Sequence, residues 1–156
     1  MRCADILNIL EERCPKAYAL DWDNCGLQTG RYDKEVNTIY IALDATDEVI
    51  AAAAAQHAEL LITHHPLLFN GIKQIHDQDF IGRRLLTLIQ ADMCCYAMHT
   101  NYDVACMGEL SARLLHLNNA RVLEVTSEDE KGIGQYGSLD TAIPLSTLAE
   151  QLKQIF

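Results

Sequence analysis

The pattern of apolar and polar positions alternates between strand-like and helix-like segments. Continuous apolar runs predict three buried strands, at residues 38–43, 59–63 and 93–98. Helical spacing of apolar residues surrounds these runs, at residues 3–14, 47–57, 80–90 and 108–117. This order predicts an α/β fold with a largely parallel or mixed sheet flanked by helices.

Other parts of the pattern give more local expectations. The segment LDWDNCGLQTG predicts a polar, turn-rich connection in which Gly26 and Gly30 have positive φ and Trp22 is a packed aromatic. Asp47 is expected to be the N-cap of the alanine-rich helix, and Ser146 that of a closing amphipathic helix. Two further β-like segments precede that last helix, at residues 121–126 and 133–139.

Polar side chains follow each of the three predicted strands. Asp44 follows the first, the pair His64 and His65 the second, and the run from His99 to Asp103 the third. Because the carboxyl ends of parallel strands form the ligand-binding edge of such sheets, these groups are expected to converge.

Imidazole and carboxylate groups together suit divalent Zn, Fe, Mn or Ni. The adjacent His64 and His65 could each offer a nitrogen to one of two neighbouring ions, which favours a metal site. Asp103 has two open interpretations, as a metal ligand or as a helix N-cap. Asp44 is interpreted as a cap or as a hydrogen-bonding partner of a ligand. The other histidines are interpreted as surface or core residues, namely His57, His76 and His116.

Composition narrows the classes of function. The chain has 156 residues, which fits a single domain over residues 1–156, and 12 basic against 22 acidic residues give a net charge of −10. Binding to nucleic-acid backbones is therefore not expected. No apolar stretch reaches a membrane span, and the charged N-terminus does not resemble a signal peptide. Six cysteines without a C-x-x-C pair favour reduced thiols and a cytoplasmic location.

Familiar catalytic motifs are missing from the sequence. It contains no G-x-G-x-x-G, no G-x-x-x-x-G-K-[ST], no H-E-x-x-H and no G-x-S-x-G. A nucleophilic Cys106 paired with His99 remains conceivable, although nothing local favours it.

Four segments resemble the Nif-three-like family of dinuclear-metal-centre proteins, also known as GTP cyclohydrolase I type 2-like. They are WDNCGLQTG (22–30), IYIALDATDEVI (39–50), ELLITHHPLLFNGIKQI (59–75) and AMHTNYDVACMGELSARLL (97–115). The resemblance implies that His64, His65 and Asp103 are metal ligands, and that Asp23, Asn24 and His99 line the same cleft. It further implies an α/β fold, two metal ions in a complete site, a toroidal homohexamer and a cytoplasmic location.

The implied activity is metal-dependent hydrolysis of a small molecule, nominally opening of the guanine ring of GTP, with His99 as general acid or base. Family members carry a later His and Glu that complete the metal site, and no H-x-x-x-E follows Asp103 here. The sequence therefore resembles the N-terminal part of the family only. The alternatives are a non-catalytic metal-binding assembly or partner-interaction protein, and an inactive truncated form.

Overall fold

Four strands within residues 1–102 form a mixed sheet in the computed structural model, which describes residues 1–155. The strands are β1 (Gly26–Thr29), β2 (Ile39–Ala42), β3 (Leu60–Thr63) and β4 (Cys94–Ala97). Their order is β1-β4-β3-β2, in which β2, β3 and β4 are parallel and β1 pairs antiparallel with β4. The predicted α/β fold with a mixed sheet is confirmed. The three parallel strands end at the same edge, where the predicted polar groups follow them.

Helices cover both faces of the sheet at β3 and β4, and the alternation of side chains along the strands decides which residue faces which helix. The edge strand β2 is not buried as predicted, because one of its faces leaves Ile39 and Ile41 exposed. The helices of this unit are α1 (Cys3–Arg13), α2 (Asp47–Ala55), α3 (Phe80–Gln90) and the short α4 (Thr100–Tyr102). Leu61 and Cys95 pack with α2 and α3, whereas the neighbouring Leu60, Cys94 and Tyr96 pack with α1. A one-residue shift of β3 or β4 would therefore exchange the two cores.

The segment expected to be a connection contains a strand instead. β1 has the polar sequence GLQT, so its own pattern is not that of a strand. Pairing with β4 and the positive φ angles of Gly26 and Gly30, 111° and 119°, hold it at the edge of the sheet. The prediction of positive φ at both glycines is confirmed.

Asp47 is not the N-cap of α2, as the sequence suggested. The side chain of Thr46 accepts a hydrogen bond from the Val49 amide at 3.2 Å and caps the helix, so Asp47 is the first helical residue. In that position its carboxylate is available to α3, where it binds Arg83 and Arg84 at 2.8 and 2.7 Å.

A cluster of opposite charges joins the end of β1 to the start of β4. Asp92 accepts hydrogen bonds from Lys34 at 2.6 Å and from Arg31 at 3.0 Å. Hydrogen bonds from Lys34 and Arg31 lower the pKa of Asp92, so the carboxylate stays ionised well into acid.

The second compact unit, Asp103–Phe156, is described as far as Ile155. It begins with a π-helical turn (Asp103–Met107), followed by α5 (Gly108–Leu114), β5 (Asn118–Val125), β6 (Gly132–Ser138) and α6 (Leu145–Ile155). The two predicted β segments form an antiparallel pair in a sheet of their own. Helix α6 already includes Leu145, so Ser146 lies inside the helix and is not its N-cap. The single domain predicted over residues 1–156 stays a prediction.

All six cysteines are free thiols. Burial raises the pKa of Cys3 and of Cys95 to about 12, so both remain protonated at neutral pH and behave as small apolar residues. Within residues 1–155, no helix combines the length and the apolar character that crossing a membrane requires.

Candidate metal centre

Three histidines lie together at the carboxyl edge of the parallel strands. His64 and His65 follow β3, and His99 follows β4. One ring nitrogen of each lies within 4.8 Å of a ring nitrogen of the other two. Of the His, Cys, Asp and Glu residues that the structure describes, these three form the one such group. The predicted convergence of the polar groups after β3 and β4 is thus observed for their histidines.

The backbone turns sharply at the end of β3, and this places two adjacent rings side by side. The amides of His64 and His65 both donate to the carbonyl of Leu43, at 3.2 and 3.1 Å. Their ring centroids are consequently only 4.9 Å apart. A continued extended strand would have sent the two side chains to opposite faces.

Each of the three rings is held through Nδ1 by an oxygen acceptor. His64 Nδ1 lies 2.9 Å from the carbonyl oxygen of Met98, His65 Nδ1 lies 2.7 Å from Asp44, and His99 Nδ1 lies 2.9 Å from Asp23. A carbonyl and an ionised carboxylate can only accept, so Nδ1 carries the proton in each ring. The lone pair of each neutral ring is then on Nε2, which is the protonation state that metal-binding histidines need.

Asp23 supports His99 from a fully buried position. Its side chain has no exposed surface, whereas that of His99 is 12% exposed. Besides the His99 ring, the carboxylate accepts from the amide and the hydroxyl of Thr100. Burial alone would raise the pKa of Asp23, but the hydrogen bonds from Thr100 and His99 outweigh it and the pKa lies below its usual value. Asp23 is therefore a buried anion compensated by donors.

Thr100 and Asn101 hold the polypeptide that carries His99. The Thr100 hydroxyl also accepts from the Leu20 amide at 2.9 Å. Asn101 is fully buried, accepts from the His99 amide at 3.0 Å and donates to the Cys14 carbonyl at 2.9 Å. Thr100 and Asn101, the two middle polar residues of H-T-N-x-D, thus anchor the His99 backbone, a role that no sequence pattern indicates.

Asn24 connects this region to the loop after β3. Its side-chain amide donates to the Leu68 carbonyl at 2.6 Å, and the Leu68 amide donates to Gln28 at 3.1 Å. Asp23, Asn24 and Asp44, which were predicted to line the cleft or to support the ligands, therefore all contact the histidines or the loop that follows them. Asn24 acts on the loop and not on a ring.

Trp22 packs against another aromatic ring, as the sequence suggested, but at the surface. Its side chain is 59% exposed and stacks on Phe69, with ring centroids 6.2 Å apart and planes at 14°. The edges of both rings contact His99, at centroid distances of 5.9 and 5.7 Å. This exposed aromatic pair covers one side of the histidine group, and no sequence signal identified Phe69.

Asp103 is the first residue of the second unit, where it begins the π-helical turn and lines a cavity of about 240 Å³ with Met107 and Ser111. It is not the N-cap of a helix, and its role as a metal ligand stays a prediction. His57, His76 and His116 lie outside the histidine group, in line with their interpretation as surface or core residues.

The fold is thus that of a mixed α/β sheet which carries three oriented imidazoles at its carboxyl edge. The chain belongs to the Duf34/NIF3 (NGG1p interacting factor 3) family, whose model matches residues 1–156. The resemblance noted in the sequence is thereby confirmed.

Relatives with assigned names agree with this membership. The chain is 34% identical over 156 residues to the "GTP cyclohydrolase 1 type 2 homolog" of Clostridium perfringens, covering 98% of this chain and 60% of the relative. It is 31% identical to the protein of the same name from Lactococcus lactis, covering all of this chain and 60% of the relative. The chain thus spans about 60% of the length of these relatives.

Solved structures share the fold. A Bacillus cereus protein related to NIF3 is 39% identical with a TM-score of 0.77, over 81% of this chain and 36% of that one. Reduced HcgD from Methanocaldococcus jannaschii is 31% identical with a TM-score of 0.85, over 99% of this chain and 60% of that one.

Proposed function

We propose that this chain binds divalent metal at His64 and His65, with Asp103 as a further ligand, and takes part in metal-dependent hydrolysis of a small molecule. The observation that carries the proposal is that all three clustered imidazoles are held through Nδ1 by an oxygen acceptor. Partners of this kind fix the orientation of metal-binding histidines and raise the basicity of the other nitrogen. The donor set therefore fits a metal.

The chemistry of the donors also indicates the class of ion. Imidazole nitrogens with a carboxylate suit Zn, Fe, Mn or Ni, whereas Mg and Ca prefer oxygen ligands throughout. A bound ion of this class supplies Lewis-acid polarisation of a substrate oxygen. The pairing of adjacent histidines supports a site for two ions, as the family resemblance implies.

His99 has the contacts expected of a proton-transferring residue. Asp23 holds the ring through Nδ1, because a buried carboxylate lies 2.9 Å away. The Nε2 atom can then accept a proton from a reacting group or return it. Its closeness to the other two rings makes the same nitrogen a candidate ligand, so His99 has two possible roles at one site.

The substrate is proposed at the level of class. Several relatives bear the name GTP cyclohydrolase 1 type 2 homolog, which supports testing GTP and model phosphoesters first. Homohexamer formation and a cytoplasmic location, both implied by the family resemblance, belong to the same proposal.

Metal content tests the proposal directly. Protein purified without chelator is analysed for bound metals, and chelator-treated protein is titrated calorimetrically with Zn²⁺ and Mn²⁺. We expect binding that is lost in a His64→Ala, His65→Ala double variant and retained in His76→Ala, whose side chain lies outside the histidine group. Equal binding by both variants would contradict the site.

Turnover forms a second measurement. GTP and model phosphoesters are incubated with the metal-loaded protein and with the double variant. Activity in the former and not in the latter is expected, and equal rates would refute hydrolysis at this site.

A second candidate function is a metal-binding assembly without turnover. The family description names an interacting factor, which favours this candidate. Light scattering of metal-loaded protein separates the two. An oligomer that holds metal and is inert toward every substrate tested supports the assembly and contradicts the hydrolase.

A further inference from the structure

The first unit contains an open cavity directly beside the histidine group. It has a volume of about 390 Å³, within the range of small-molecule sites, and lies between the loop after β3 and the beginning of α3. His65 and Asp44 line one part of it. Most of the remaining lining is apolar, including Leu68, Phe69 and Ile72. A ligand in this cavity would therefore contact His65 and an apolar wall together.

Arg84 is the one basic residue of the cavity lining, and its guanidinium group is held in place. Its Nε donates to Asp47 at 2.7 Å, and its guanidinium carbon lies 5.1 Å from the centre of the Phe80 ring. The side chain is 22% exposed. No described residue accepts a hydrogen bond from its two terminal nitrogens. Arg84 thus offers oriented donors to a ligand.

Carboxylates surround Arg84. Asp47 pairs with its Nε and is shared with Arg83, Glu48 interacts with it electrostatically, and Asp44 lines the same cavity. These three carboxylates outnumber the two arginines, so any selectivity for an anion must come from the oriented hydrogen bonds of the terminal nitrogens. Planar guanidinium groups pair best with the oxygens of phosphate or carboxylate.

We propose that this cavity binds the non-reacting part of the substrate, a ring-sized apolar body with one phosphate or carboxylate group that pairs with Arg84. The apolar body rests on Leu68 and Ile72, and the reacting end is directed toward His65. The direction of the reacting end depends on the proposed function. Binding in the cavity does not, because none of its apolar or arginine contacts involves a metal.

The probes are 1-naphthyl phosphate and its neutral counterpart 1-naphthol, titrated calorimetrically into the 156-residue protein in the presence of chelator. Chelation prevents the phosphate from binding through a metal. We expect the phosphate to bind more tightly than the naphthol. Arg84→Gln should weaken phosphate binding about 10-fold, the range of a hydrogen bond to a charged group, and leave naphthol binding within about 2-fold.

Arg83→Gln is the matched control, since Arg83 binds the same Asp47 but does not line the cavity. Its effect on phosphate binding should be below about 3-fold. Equal losses in the Arg83 and Arg84 variants would overturn the inference, as would equal affinity of the wild-type protein for both probes or no binding of the phosphate.

Thermal unfolding shows whether Arg84→Gln folds, and a second variant tests the cavity if it does not. Ile72 lines the cavity and is 43% exposed, so Ile72→Asp adds a negative charge there without disturbing the core. It should weaken the phosphate more than the naphthol, and an unchanged preference would count against the cavity. Arg84-dependent binding without metal-dependent turnover would support the cavity and refute the hydrolase. Turnover without Arg84-dependent binding would support the hydrolase and refute the cavity.

Discussion

The buried carboxylate of Asp23 provides a sharp test of how the histidine group is held. We consider Asp23→Asn, with Asp44→Asn as the matched control. Both carboxylates accept from Nδ1 of a clustered histidine, at 2.9 and 2.7 Å. They differ in burial, since the Asp23 side chain is fully buried and that of Asp44 is 48% exposed.

The expected loss of stability follows from counting donors. Asp23 accepts from the His99 ring, the Asn24 amide, and both the amide and the hydroxyl of Thr100. An asparagine can keep its oxygen on Thr100, but its NH₂ group then faces the Asn24 amide, donor against donor. Losing hydrogen bonds to a charged group costs about 2 kcal/mol, and the Asn24 amide adds little because it is exposed and can turn to water. Asp44→Asn should cost less than about 1 kcal/mol, because its single partner is exposed to water.

The same substitution should reverse the protonation of one ring. In the wild-type protein the carboxylate requires the proton of His99 on Nδ1. The NH₂ group of an asparagine requires Nδ1 to accept, which moves the proton to Nε2 and occupies the nitrogen that the proposed function needs. The substitution should therefore impair catalysis or metal binding beyond its effect on stability.

Two measurements are needed. Urea denaturation followed by circular dichroism gives the free energy of unfolding of each variant. Nitrogen chemical shifts of histidine-labelled protein then show which ring nitrogen carries the proton. If Asp23→Asn and Asp44→Asn unfold alike, or if His99 keeps its proton on Nδ1 in the Asp23 variant, the described role of Asp23 is wrong.

Three other predictions concern the fold. Gly30→Ala should lower the free energy of unfolding by about 2–4 kcal/mol, because the residue has a φ of 119° and its new Cβ would lie 2.6 Å from a sulfur of β4; this is measured by urea denaturation. Leu88→Ala should cost about 2–5 kcal/mol in the same assay, because Leu88 is completely buried. The lowered pKa of Asp92 means that its stabilising contribution is present above the usual carboxyl pKa and is lost as the pH falls, so wild-type protein should lose stability more steeply than Asp92→Asn in acid titrations.

Controls for these predictions come from the same chain. At Gly71 an added Cβ meets no atom within 4 Å, so Gly71→Ala should change the free energy of unfolding by less than about 0.5 kcal/mol. Ile41 is 75% exposed, so Ile41→Ala is the matching control for Leu88→Ala. A Gly30 variant as stable as the Gly71 variant, or parallel pH profiles of stability for wild type and Asp92→Asn, would show that the described contacts do not stabilise the fold.

The sequence predicts those parts of the structure that depend on regular periodicity. The helix at Phe80–Gln90 is found with its predicted limits, and β2, β3 and β4 all lie within the predicted apolar runs. For β3 and β4 the reason is that parallel strands covered on both faces are apolar throughout. The edge strand β1 was missed, since a strand held by pairing on one side needs no apolar pattern.

In the candidate site, too, the sequence predicts the residues that follow regular strands and misses those that depend on distant contacts. His64, His65 and His99 could be placed together, because each follows a strand of the parallel core. The supporting residues could not be placed, because Asp23 reaches His99 across 76 positions of sequence and Asn24 reaches Leu68 across 44. Such contacts depend on how the β1 segment lies on the sheet, and that information is absent from local patterns.

The loop after β3 links the two binding functions proposed here. Its second residue, His65, belongs to the histidine group, while Leu68 and Phe69 line the cavity. Asn24 fixes this loop through the Leu68 carbonyl, and Phe69 also contacts the His99 ring. A ligand that moves Phe69 therefore changes the packing around His99. A metal ion that shifts the His65 ring changes one wall of the cavity. The cavity does not require metal to bind an anionic ligand, but metal at the histidines should change that affinity, and by linkage the ligand should change the metal affinity by the same factor.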